Sequence, residues 1–487
     1  MTGKNNAAIA TNTLAWGEWS FLPIEKVAEV NPRHDRSTIP DDMLVSFVPM
    51  SAIGAGDGTI HVEGRRLAGE VKKGFTFFIE GDVLFAKITP CMENGKMAVV
   101  PKLVNGYGFG STEFHILRPR PGTDAKYLYY YISSQKFRSE AERHMTGAVG
   151  QRRVSTSDLK EFIIPLPSLD QQKYIATQIE KQFSRLDEAV VNLRRVKDNL
   201  RRYRAAVLKA AVEGRLVERE AEIARREGRD YETGAQLLQR VLETRRRRWT
   251  GKTKYKEPAV PDASNPPPSL EGWVWATADQ LLMSLRNGLS KKPEDSKPGI
   301  PILRISAVRP LELDTEDRRF YRPQESESTD HCKLKAHDIL FVRYNGTKEF
   351  VGACALVSSA PGVLLYPDKL IRGRVVSKSL VMPSYVAIAA NVGKSREHID
   401  ELIKTTAGQQ GIAGGNVRQM PLPLPPYAEQ QRIVTEVDRQ LSFIREIQDQ
   451  IETNLRRANR LRSSILGRTF SRAMSAARAV KGDKANA

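Results

Sequence analysis

The chain contains the same arrangement of segments twice, and this internal duplication limits its fold more than any other feature. Four pairs of segments match in the same order: Trp19–Phe21 with Trp273–Trp275, Phe47–Ile53 with Ile302–Val308, Gly81–Lys87 with His337–Arg343, and Pro165–Gln172 with Pro423–Gln430. The separation changes only from 254 residues, between Trp19 and Trp273, to 258 residues, between Gln172 and Gln430. A period this long is too large for a solenoid and predicts a duplicated domain plus a connector.

The first part of each repeat is predicted to be an α+β domain, which we name domain 1 (16–167) and domain 2 (271–425). Short apolar segments rich in β-branched and aromatic residues predict four strands in domain 1, at residues 47–53, 82–88, 96–101 and 114–119. Residues 126–143 have the composition of a helix. The two domains are therefore expected to be similar to each other.

The second part of each repeat changes to helical periodicity after a Pro-Leu-Pro sequence, which cannot lie inside a helix. Long helices are predicted over 168–215 and 426–474, and each would measure about 60 Å over ~40 residues. Apolar residues recur at coiled-coil spacing. In the first helix they are Ile175, Ile179, Phe183, Leu186, Val190, Leu193, Leu200, Tyr203 and Val207. In the second they are Ile433, Val437, Leu441, Ile444, Ile447, Ile451, Leu455, Ala458, Leu461 and Ile465. The simplest way to cover both stripes is for the two helices to pack on each other; the alternative is that each lies on its own domain.

The remaining segments are predicted to be a connector and two tails. Residues 216–270 are charged and then proline-rich, with apolar residues near 237–242 that suggest a short helix. The basic run Arg245–Arg248 is either a phosphate contact or a solvated part of this connector. Residues 1–15 and 475–487 are predicted to be disordered tails.

The net charge of +19 makes nucleic acid the leading partner, with an anionic membrane surface or simple solubility as alternatives. No apolar run is long enough to span a membrane, and no secretion signal is evident. The three cysteines are far apart and suit a reducing compartment. These features predict a cytoplasmic protein.

The sequence contains fragments of catalytic motifs, and each fragment lacks a residue that the motif requires. Gly393–Ser395 resembles the end of a phosphate-binding loop but lacks the upstream glycine that such a loop needs. Asn265–Pro268 resembles part of an amino-methyltransferase motif without its aromatic residue. No spacing indicates a metal site. The sequence therefore favours a binding or scaffold role without catalytic or metal-binding residues.

One loop in each repeat carries the chemistry expected of a DNA contact. An apolar strand ends in a cation, an Asn-Gly turn follows, and a lysine comes next. Such a turn can enter a DNA groove, where Arg or Lys pairs with guanine and Asn with adenine. The alternative is an ordinary solvated hairpin. The candidates in these loops are Lys87, Asn94 and Lys96 in domain 1, and Arg343, Asn345 and Lys348 in domain 2. Further candidates, just ahead of each long helix, are Gln151, Arg152, Arg153, Gln409, Gln410 and Arg418.

With these motifs in place, the chain resembles the specificity subunit (S subunit, HsdS) of type I restriction–modification systems over nearly its whole length. The most specific matches are FAKITPCMENGK, the helix openings PLPSLDQQKYI and PLPPYAEQQRI, and the helix ends LRRYRAAVLKAAVEGRL and LRSSILGRTF. One departure is that the second helix ends in RTFSRAM without the Gly-Arg-Leu of the first.

The resemblance implies two target-recognition domains joined by two long helices that pack as an antiparallel coiled coil. Each domain would recognise one half of a split, asymmetric sequence in double-stranded DNA, and the helices would fix the spacer between the halves. Two methyltransferase (M) subunits would dock on the helices, whose openings contain Gln172, Ile175, Gln430 and Ile433.

Catalysis would then belong to partners rather than to this chain. S-adenosylmethionine is expected on the M subunits, and ATP and Mg²⁺ on two motor–nuclease (R) subunits where these join the complex. Three alternatives remain open: the specificity subunit of a related restriction or phage-defence complex, a coiled-coil scaffold that binds no DNA, and a self-sufficient nuclease or methyltransferase.

Overall fold

The computed structural model describes residues 19–60, 64–148, 150–250, 254–262, 270–291, 293–294, 298–324, 327–359, 362–406 and 409–485. The chain divides into two compact units. Unit 1 comprises residues 1–195 and 451–487, and unit 2 comprises residues 196–450. The tail predicted at 1–15 lies outside the described residues.

Domain 1, within unit 1, mixes short strands and short helices. Its strands are β1 (Ser20–Pro23), β2 (Ala28–Val30), β3 (Leu44–Val48), β4 (Gly64–Leu67), β5 (Thr76–Ile79), β6 (Val83–Ala86), β7 (Met97–Val99), β8 (Tyr107–Gly110), β9 (Phe114–Pro119) and β10 (Ile163–Leu166). Its helices are α1 (Ile24–Val27), α2 (Ala68–Val71), α3 (Ala125–Ser133), α4 (Gln135–Arg143) and α5 (Thr156–Glu161). Single 3-10 turns lie at Arg36–Thr38, Met50–Ala52 and Val104–Gly106.

Two four-stranded sheets build domain 1. One has the antiparallel order β2-β9-β6-β7, and its buried strand β6 lies in the core. The other has the order β4-β3-β8-β5, in which β3 and β8 run parallel. Strand β1 pairs with β10, so the start of the domain lies beside the segment that enters the first long helix.

The predicted elements of domain 1 are largely confirmed, with two corrections. The strand predicted over 47–53 ends at Val48 because Pro49, which has no N–H, begins a 3-10 turn. The single helix predicted over 126–143 is two helices, α3 and α4. They separate at Ser134, whose backbone is extended and whose hydroxyl accepts a hydrogen bond from the N–H of Phe137 as an N-cap.

The first long helix, α6 (Leu169–Val212), has no glycine or proline within it and ends beside Gly214, which adopts a left-handed conformation. The connector then forms α7 (Glu220–Glu227) and α8 (Gly234–Arg247), so the short helix expected near 237–242 is confirmed. Two arginines of the basic run at the end of α8 make hydrogen bonds within the chain, while Arg246 and Arg247 are exposed. Arg245 is buried and donates to the Tyr255 hydroxyl, and Arg248 donates to the carbonyl of Val376. Arg248 therefore holds the connector on domain 2, and Arg245 does so through an ion pair with Asp279 at 3.7 Å.

Domain 2 lies within unit 2 and contains the following elements. Its strands are β11 (Val274–Thr277), β12 (Leu282–Asn287), β13 (Ile300–Leu303), β14 (Val308–Arg309), β15 (Glu312–Leu313), β16 (Arg318–Tyr321), β17 (Ile339–Val342), β18 (Tyr344–Asn345), β19 (Cys354–Leu356), β20 (Leu370–Val375), β21 (Lys404–Thr406), β22 (Gln409–Gly411) and β23 (Pro421–Leu424). Its helices are α9 (Ala278–Leu281), α10 (Pro383–Ala390), α11 (Gly393–Leu402) and α12 (Gly414–Gln419), with 3-10 turns at Ile305–Ala307, Asp330–Cys332 and Lys348–Phe350.

The structure repeats the duplication in its strand order. The sheet β12-β20-β17-β19 of domain 2 has the same antiparallel order as β2-β9-β6-β7 of domain 1, and β11 pairs with β23 as β1 pairs with β10. The two domains therefore share this sheet and this strand pair, as the sequence predicts, whereas the other sheets differ: β4-β3-β8-β5 in domain 1, and β13-β16, β14-β15 and β18-β22-β21 in domain 2.

Specific side-chain contacts are repeated as well. The Tyr127 hydroxyl donates to the carbonyl of Pro165 at 2.5 Å, and the Tyr385 hydroxyl donates to that of Pro423 at 3.0 Å. A buried aspartate at the start of the central strand pairs with an arginine in each domain: Asp82 with Arg118, and Asp338 with Arg374.

The second long helix, α13, spans Tyr427–Ala485. It therefore continues beyond residue 474, and the tail predicted at 475–487 is helical up to Ala485. The physical reason is composition, because Ala, Arg and Lys are strong helix formers and the single Gly482 is too weak to end the helix.

Each unit contains part of both long helices, and in each unit the two helices contact each other. In unit 1 the guanidinium of Arg462 pairs with Asp187 and lies 4.8 Å from the centre of the Phe183 ring. In unit 2 the Tyr203 hydroxyl donates to Gln440, and Arg432 contacts Glu218, beyond the end of α6. Since the partner position moves back along α13 as the chain advances from 203 to 218, the helices run antiparallel there.

The helices also bind their domains. Ile175, Ile179 and Phe183 of α6 join the core of domain 1, together with Leu466 and Phe470 of α13. In unit 2, Leu208 and Val212 of α6 join the core of domain 2 with Ile433 and Val437 of α13. Both interpretations of the apolar stripe are thus partly correct, because each helix packs on a domain and on the other helix.

Candidate nucleic-acid interface

In domain 1 the structure joins the two candidate segments that the sequence places about 60 residues apart. Strand β6 ends at Ala86 and delivers Lys87, which opens the loop 87–96. The backbone N–H of Thr89 donates to the carbonyl of Arg152 at 3.0 Å, and the N–H of Val154 donates to that of Lys87 at 2.9 Å. The 87–96 loop and the 151–153 segment therefore form one surface.

Domain 2 joins the corresponding segments in the same way. Strand β17 ends at Val342 and delivers Arg343, after which β18 pairs with β22 in the register Asn345 to Gln410. The backbone N–H of Ile412 donates to the carbonyl of Arg343 at 2.9 Å. The 343–348 loop and the 409–411 segment thus lie side by side at the end of the same central strand as in domain 1.

The two adjacent arginines of domain 1 are held by carboxylates. Arg153 makes a bidentate pair with Glu113 at 2.9 Å on both sides, and Arg152 lies 3.5 Å from Glu93. The hydrogen bonds from Arg153 lower the pKa of the Glu113 carboxyl below its ordinary value. These pairs fix the orientation of both guanidinium groups, and a phosphate or base would have to compete with an acid for them.

The other candidate side chains of domain 1 differ in their exposure and in whether they are already bonded within the domain. Lys96 donates from Nζ to the carbonyl of Met50 at 3.0 Å, so it is engaged within the domain. Asn94 and Gln151 are exposed, and Lys87 is half-buried. Among the described residues Lys87 forms no ion pair, which leaves a cation at the end of the central strand.

A buried histidine lies beneath this surface. His115 is 3 % exposed, contacts the carbonyl of Val154 through Nε2 at 2.9 Å, and contacts the Asn31 amide through Nδ1 at 3.0 Å. Burial lowers the pKa of His115, so the ring stays neutral at physiological pH. It positions the segment 151–155 that precedes α5 and does not itself face solvent.

The loop of domain 2 contains two buried polar atoms without partners. Over the part of the chain that the structure describes, neither Nε of Arg343 nor Oε1 of Gln410 has a hydrogen-bond partner. The guanidinium of Arg343 lies 4.8 Å from the centre of the Tyr344 ring. A buried polar atom left unpaired costs about 1–3 kcal/mol.

The remaining loop candidates of domain 2 are accessible. Gln409 and Lys348 are exposed, and the half-buried Asn345 accepts a hydrogen bond from the N–H of Thr347 at 3.0 Å. Within the described residues of domain 2, these amide and cationic side chains have no acidic partners like those of domain 1.

Arg418 does not belong to this surface. Its guanidinium pairs with Asp279 at 2.9 Å and donates to the carbonyl of Leu285, because α12 packs against α9 and β12. The sequence places Arg418 near Gln409 and Gln410, but its guanidinium contacts α9 and β12 instead of the 343–348 loop. It is a structural residue that holds these elements together.

The four residues predicted to mark the partner-binding helices are internal. Gln172 accepts from the N–H of Asp124 and donates to the carbonyls of Gly122 and Pro167; Gln430 accepts from the N–H of Met382 and donates to the carbonyl of Pro425. Both amides are 0 % exposed, and Ile175 and Ile433 lie in the domain cores. These side chains bind each helix to its own domain, so a partner must contact other residues of the helices.

Sequence reasoning missed the acidic residues of this surface. Glu93, Glu113 and Glu142 come from three different elements and meet the arginines only in the folded domain. Their one signal in the sequence is proximity, since Glu93 lies inside the candidate loop and Glu113 directly precedes β9. In the described part of the chain, no cluster of three or more His, Cys, Asp or Glu side chains could hold a metal ion. None of the helices searched there is long and apolar enough to cross a bilayer.

Comparison with known proteins supplies independent evidence. Residues 18–191 match the family described as type I restriction modification DNA specificity domain. The specificity subunit of the type I restriction enzyme EcoKI from Escherichia coli (strain K12) is 31% identical over 396 residues, which is 79% of this chain and 75% of that protein.

Two solved structures share the fold. A chain from the study "Structural basis underlying complex assembly and conformational transition of the type I R-M system" matches with a TM-score of 0.62, 18% identity, and coverage of 93% of this chain and 97% of its own. The HsdS subunit from Thermoanaerobacter tengcongensis matches with a TM-score of 0.52 and 16% identity, covering 93% of this chain and 96% of its own.

Proposed function

Because this chain belongs to the family of type I restriction enzyme specificity subunits, we propose that each of its two domains recognises one half of a bipartite, asymmetric DNA target. One observation carries the proposal. In both duplicated domains the strand-end loop and the segment before the long helix are hydrogen-bonded into one donor-rich surface at the same point of the fold. Two equivalent surfaces that differ in side chains suit two half-sites that differ in sequence.

The side chains of these surfaces can contact both the DNA phosphates and the edges of the bases. Lys and Arg pair with phosphates, which supply most of the affinity, and with guanine O6 and N7, which supply specificity. Asn and Gln pair with adenine in the major groove. The net charge of +19 favours the approach of a polyanion. Lys87 and Asn94 are the strongest candidates in domain 1, and Arg343, Asn345 and Gln410 in domain 2.

The long helices are proposed to hold the two recognition domains at a fixed separation. Each helix has residues in both units, and the two helices contact each other within each unit. Two binding modules on a stiff connection bind cooperatively only when their sites have the matching spacing and helical phase. The length of helix would then set the number of base pairs between the half-sites.

We further propose that the chain is non-catalytic and acts in the cytoplasm within a larger complex. Two methyltransferase subunits would bring S-adenosylmethionine and modify adenines. Motor–nuclease subunits, where present, would bring ATP and Mg²⁺. Membership of the specificity-subunit family supports the assignment of catalysis to partner subunits.

The experiment that tests the proposal compares two arginines of domain 2. The complex with methyltransferase subunits is incubated with duplexes randomised at each position, and bound sequences are counted for wild type, Arg343→Ala and Arg418→Ala. The Arg343 variant should lose discrimination at one position of one half-site. The expected loss is about 1–3 kcal/mol, or about 5- to 150-fold, for a bidentate guanine contact.

Arg418→Ala is the matched control because it removes the same side chain from the same domain but away from the loop surface. It should leave the recognised sequence unchanged. Lys87→Ala should affect the other half-site only. Unchanged specificity in both the Arg343 and the Lys87 variants, with binding intact, contradicts the assignment of the two surfaces.

A further inference from the structure

A short helix next to each strand-end loop contributes an arginine that holds the backbone of that loop. In domain 1 this residue is Arg138 of α4, which donates from a terminal guanidinium nitrogen to the carbonyl of Glu93. Its Nε donates to the carbonyl of Ser133, at the end of α3, at 3.2 Å. The guanidinium therefore ties the loop 87–96 to the junction between α3 and α4.

Domain 2 makes the same kind of contact from the equivalent position of the repeat. Arg396 of α11 follows Arg138 by 258 residues, the spacing that also separates the openings of the two long helices. Its two terminal nitrogens donate to the carbonyls of Val351 at 2.7 Å and Lys348 at 3.4 Å. Both domains thus keep an arginine-to-loop contact, although the two loops differ in sequence.

The carbonyls that these arginines hold belong to peptide groups beside the candidate DNA contacts. The carbonyl of Glu93 is part of the peptide group that joins Glu93 to Asn94, and Lys348 is itself a candidate. Because a peptide group is planar, fixing its oxygen also restricts the direction in which the adjoining side chain leaves the backbone. The two arginines therefore restrict the orientations of Asn94 and Lys348.

Both guanidinium groups are already used within the protein. Arg138 and Arg396 are half-buried, and Arg396 also pairs with Asp400 one helical turn later. A planar guanidinium carries five N–H donors, so one arginine can hold carbonyls from two segments at the same time. Hydrogen bonds from a charged donor are also stronger than neutral ones. The arrangement suits a side chain that fixes a loop rather than one that binds a ligand.

We propose that Arg138 and Arg396 are positioning residues for sequence recognition, and that each sets the shape of the strand-end loop in its own domain without contacting DNA. The inference rests on the proposed function, because it takes the two loops as recognition elements. It adds that specificity in each half-site depends on a helix residue outside the loop. Each arginine should therefore affect one half-site and not the other.

The test measures sequence preference in Arg138→Ala and Arg396→Ala. The full chain in complex with methyltransferase subunits selects from duplexes randomised at each position, and the affinity for the selected and for unrelated sequences is measured at several salt concentrations. Arg143→Ala and Lys394→Ala are the matched controls, because these exposed cations pair within the same two short helices, α4 and α11. Thermal unfolding checks that each variant folds.

Arg396→Ala should lower discrimination in the domain 2 half-site by about tenfold and leave the other half-site unchanged, and Arg138→Ala should do the reverse. The unaltered half-site shows in each case that the complex is assembled. The salt dependence of affinity should stay that of wild type, because the number of phosphate contacts is the same. A merely structural role would lower stability without changing the relative preference at one half-site.

Arg138→Lys and Arg396→Lys keep the charge and fewer donors, so they should lose about threefold in discrimination at the same half-sites. They carry the test where an Ala variant does not fold, and wild-type preference in both Lys variants would then overturn the inference.

Two other results overturn the inference alone. One is unchanged preference in both half-sites for folded Arg138→Ala and Arg396→Ala. The other is an equal loss of affinity for all sequences with a weaker salt dependence, which would mean that the arginine contacts a phosphate. A wild-type complex that binds DNA without any sequence preference overturns the proposed function and the inference together.

Discussion

Substitution of the buried amide of Gln430 should destabilise the junction between domain 2 and α13. The side chain is 0 % exposed, accepts from the N–H of Met382 at 3.0 Å, and donates to the carbonyl of Pro425 at 3.1 Å. Gln430→Ala leaves these two backbone groups buried without partners. Each such group costs about 1–3 kcal/mol, so the free energy of unfolding should fall by about 2–6 kcal/mol. Chemical denaturation followed by tryptophan fluorescence measures this change.

The neighbouring Gln431 supplies the matched control because its side chain is exposed. Gln431→Ala should change the free energy of unfolding by no more than about 0.5 kcal/mol. Gln172→Ala, the equivalent substitution in domain 1, removes three hydrogen bonds and should cost at least as much as Gln430→Ala. A Gln430→Ala protein as stable as the control would refute the idea that these amides join each helix to its domain.

Three further outcomes follow from the contacts described above. Asp338→Ala leaves the partly buried Arg374 without its ion-pair partner and should lower the free energy of unfolding by about 3 kcal/mol. This value is at the lower end for a buried ion pair because Arg374 is one-third exposed, and urea denaturation measures it. The pKa of Glu113 is lowered in the folded protein, so its contribution to stability is present above its ordinary pKa of 4.5 and is lost as the pH falls through its folded pKa. The difference in stability between wild type and Glu113→Gln should therefore shrink from about pH 5 to pH 3. A difference that stays constant over this range contradicts the pairing of Glu113 with Arg153. Cys354 and Cys332 are both buried, and burial raises the pKa of the Cys354 thiol. A thiol reagent should therefore modify the half-buried Cys91 first in the native protein, and peptide mapping would detect this order.

The duplication and the long helices could be predicted from the sequence because their signals are regular. Matching segments recur in one order, and apolar residues recur at helical spacing over more than four heptads. Local chemistry also located the strand-end loops correctly, since each follows a short apolar strand. These features depend on neighbours in the sequence, which a single chain displays directly.

The assembly of the candidate surface depends on contacts between distant residues, which local patterns do not contain. Pairing of the 87–96 loop with the 151–153 segment is a tertiary contact, and so is the pairing of Arg153 with Glu113. Arg418 shows the converse, because a residue close to the surface in sequence is directed elsewhere by the packing of α12. The burial of Gln172 and Gln430 was missed for the same reason, since a glutamine at a helix start usually faces solvent.

The two candidate surfaces also differ in whether their cationic side chains are already paired. In domain 1 two of the arginines are already paired with acids, and a ligand must replace those partners. In domain 2 Arg343 and Gln410 contain buried polar atoms that lack a partner among the described residues. On this basis the half-site bound by domain 2 should contribute more to affinity than the half-site bound by domain 1.

The central claim is that two similar domains recognise two separate sequences at one fixed spacing. Single-molecule mapping of methylated adenines, in cells that express the chain with its methyltransferase subunits, tests this most directly. The account predicts two short specified blocks separated by a constant number of unspecified base pairs, with Arg343→Ala altering one block only. A single continuous motif, or two blocks at variable spacing, would contradict it.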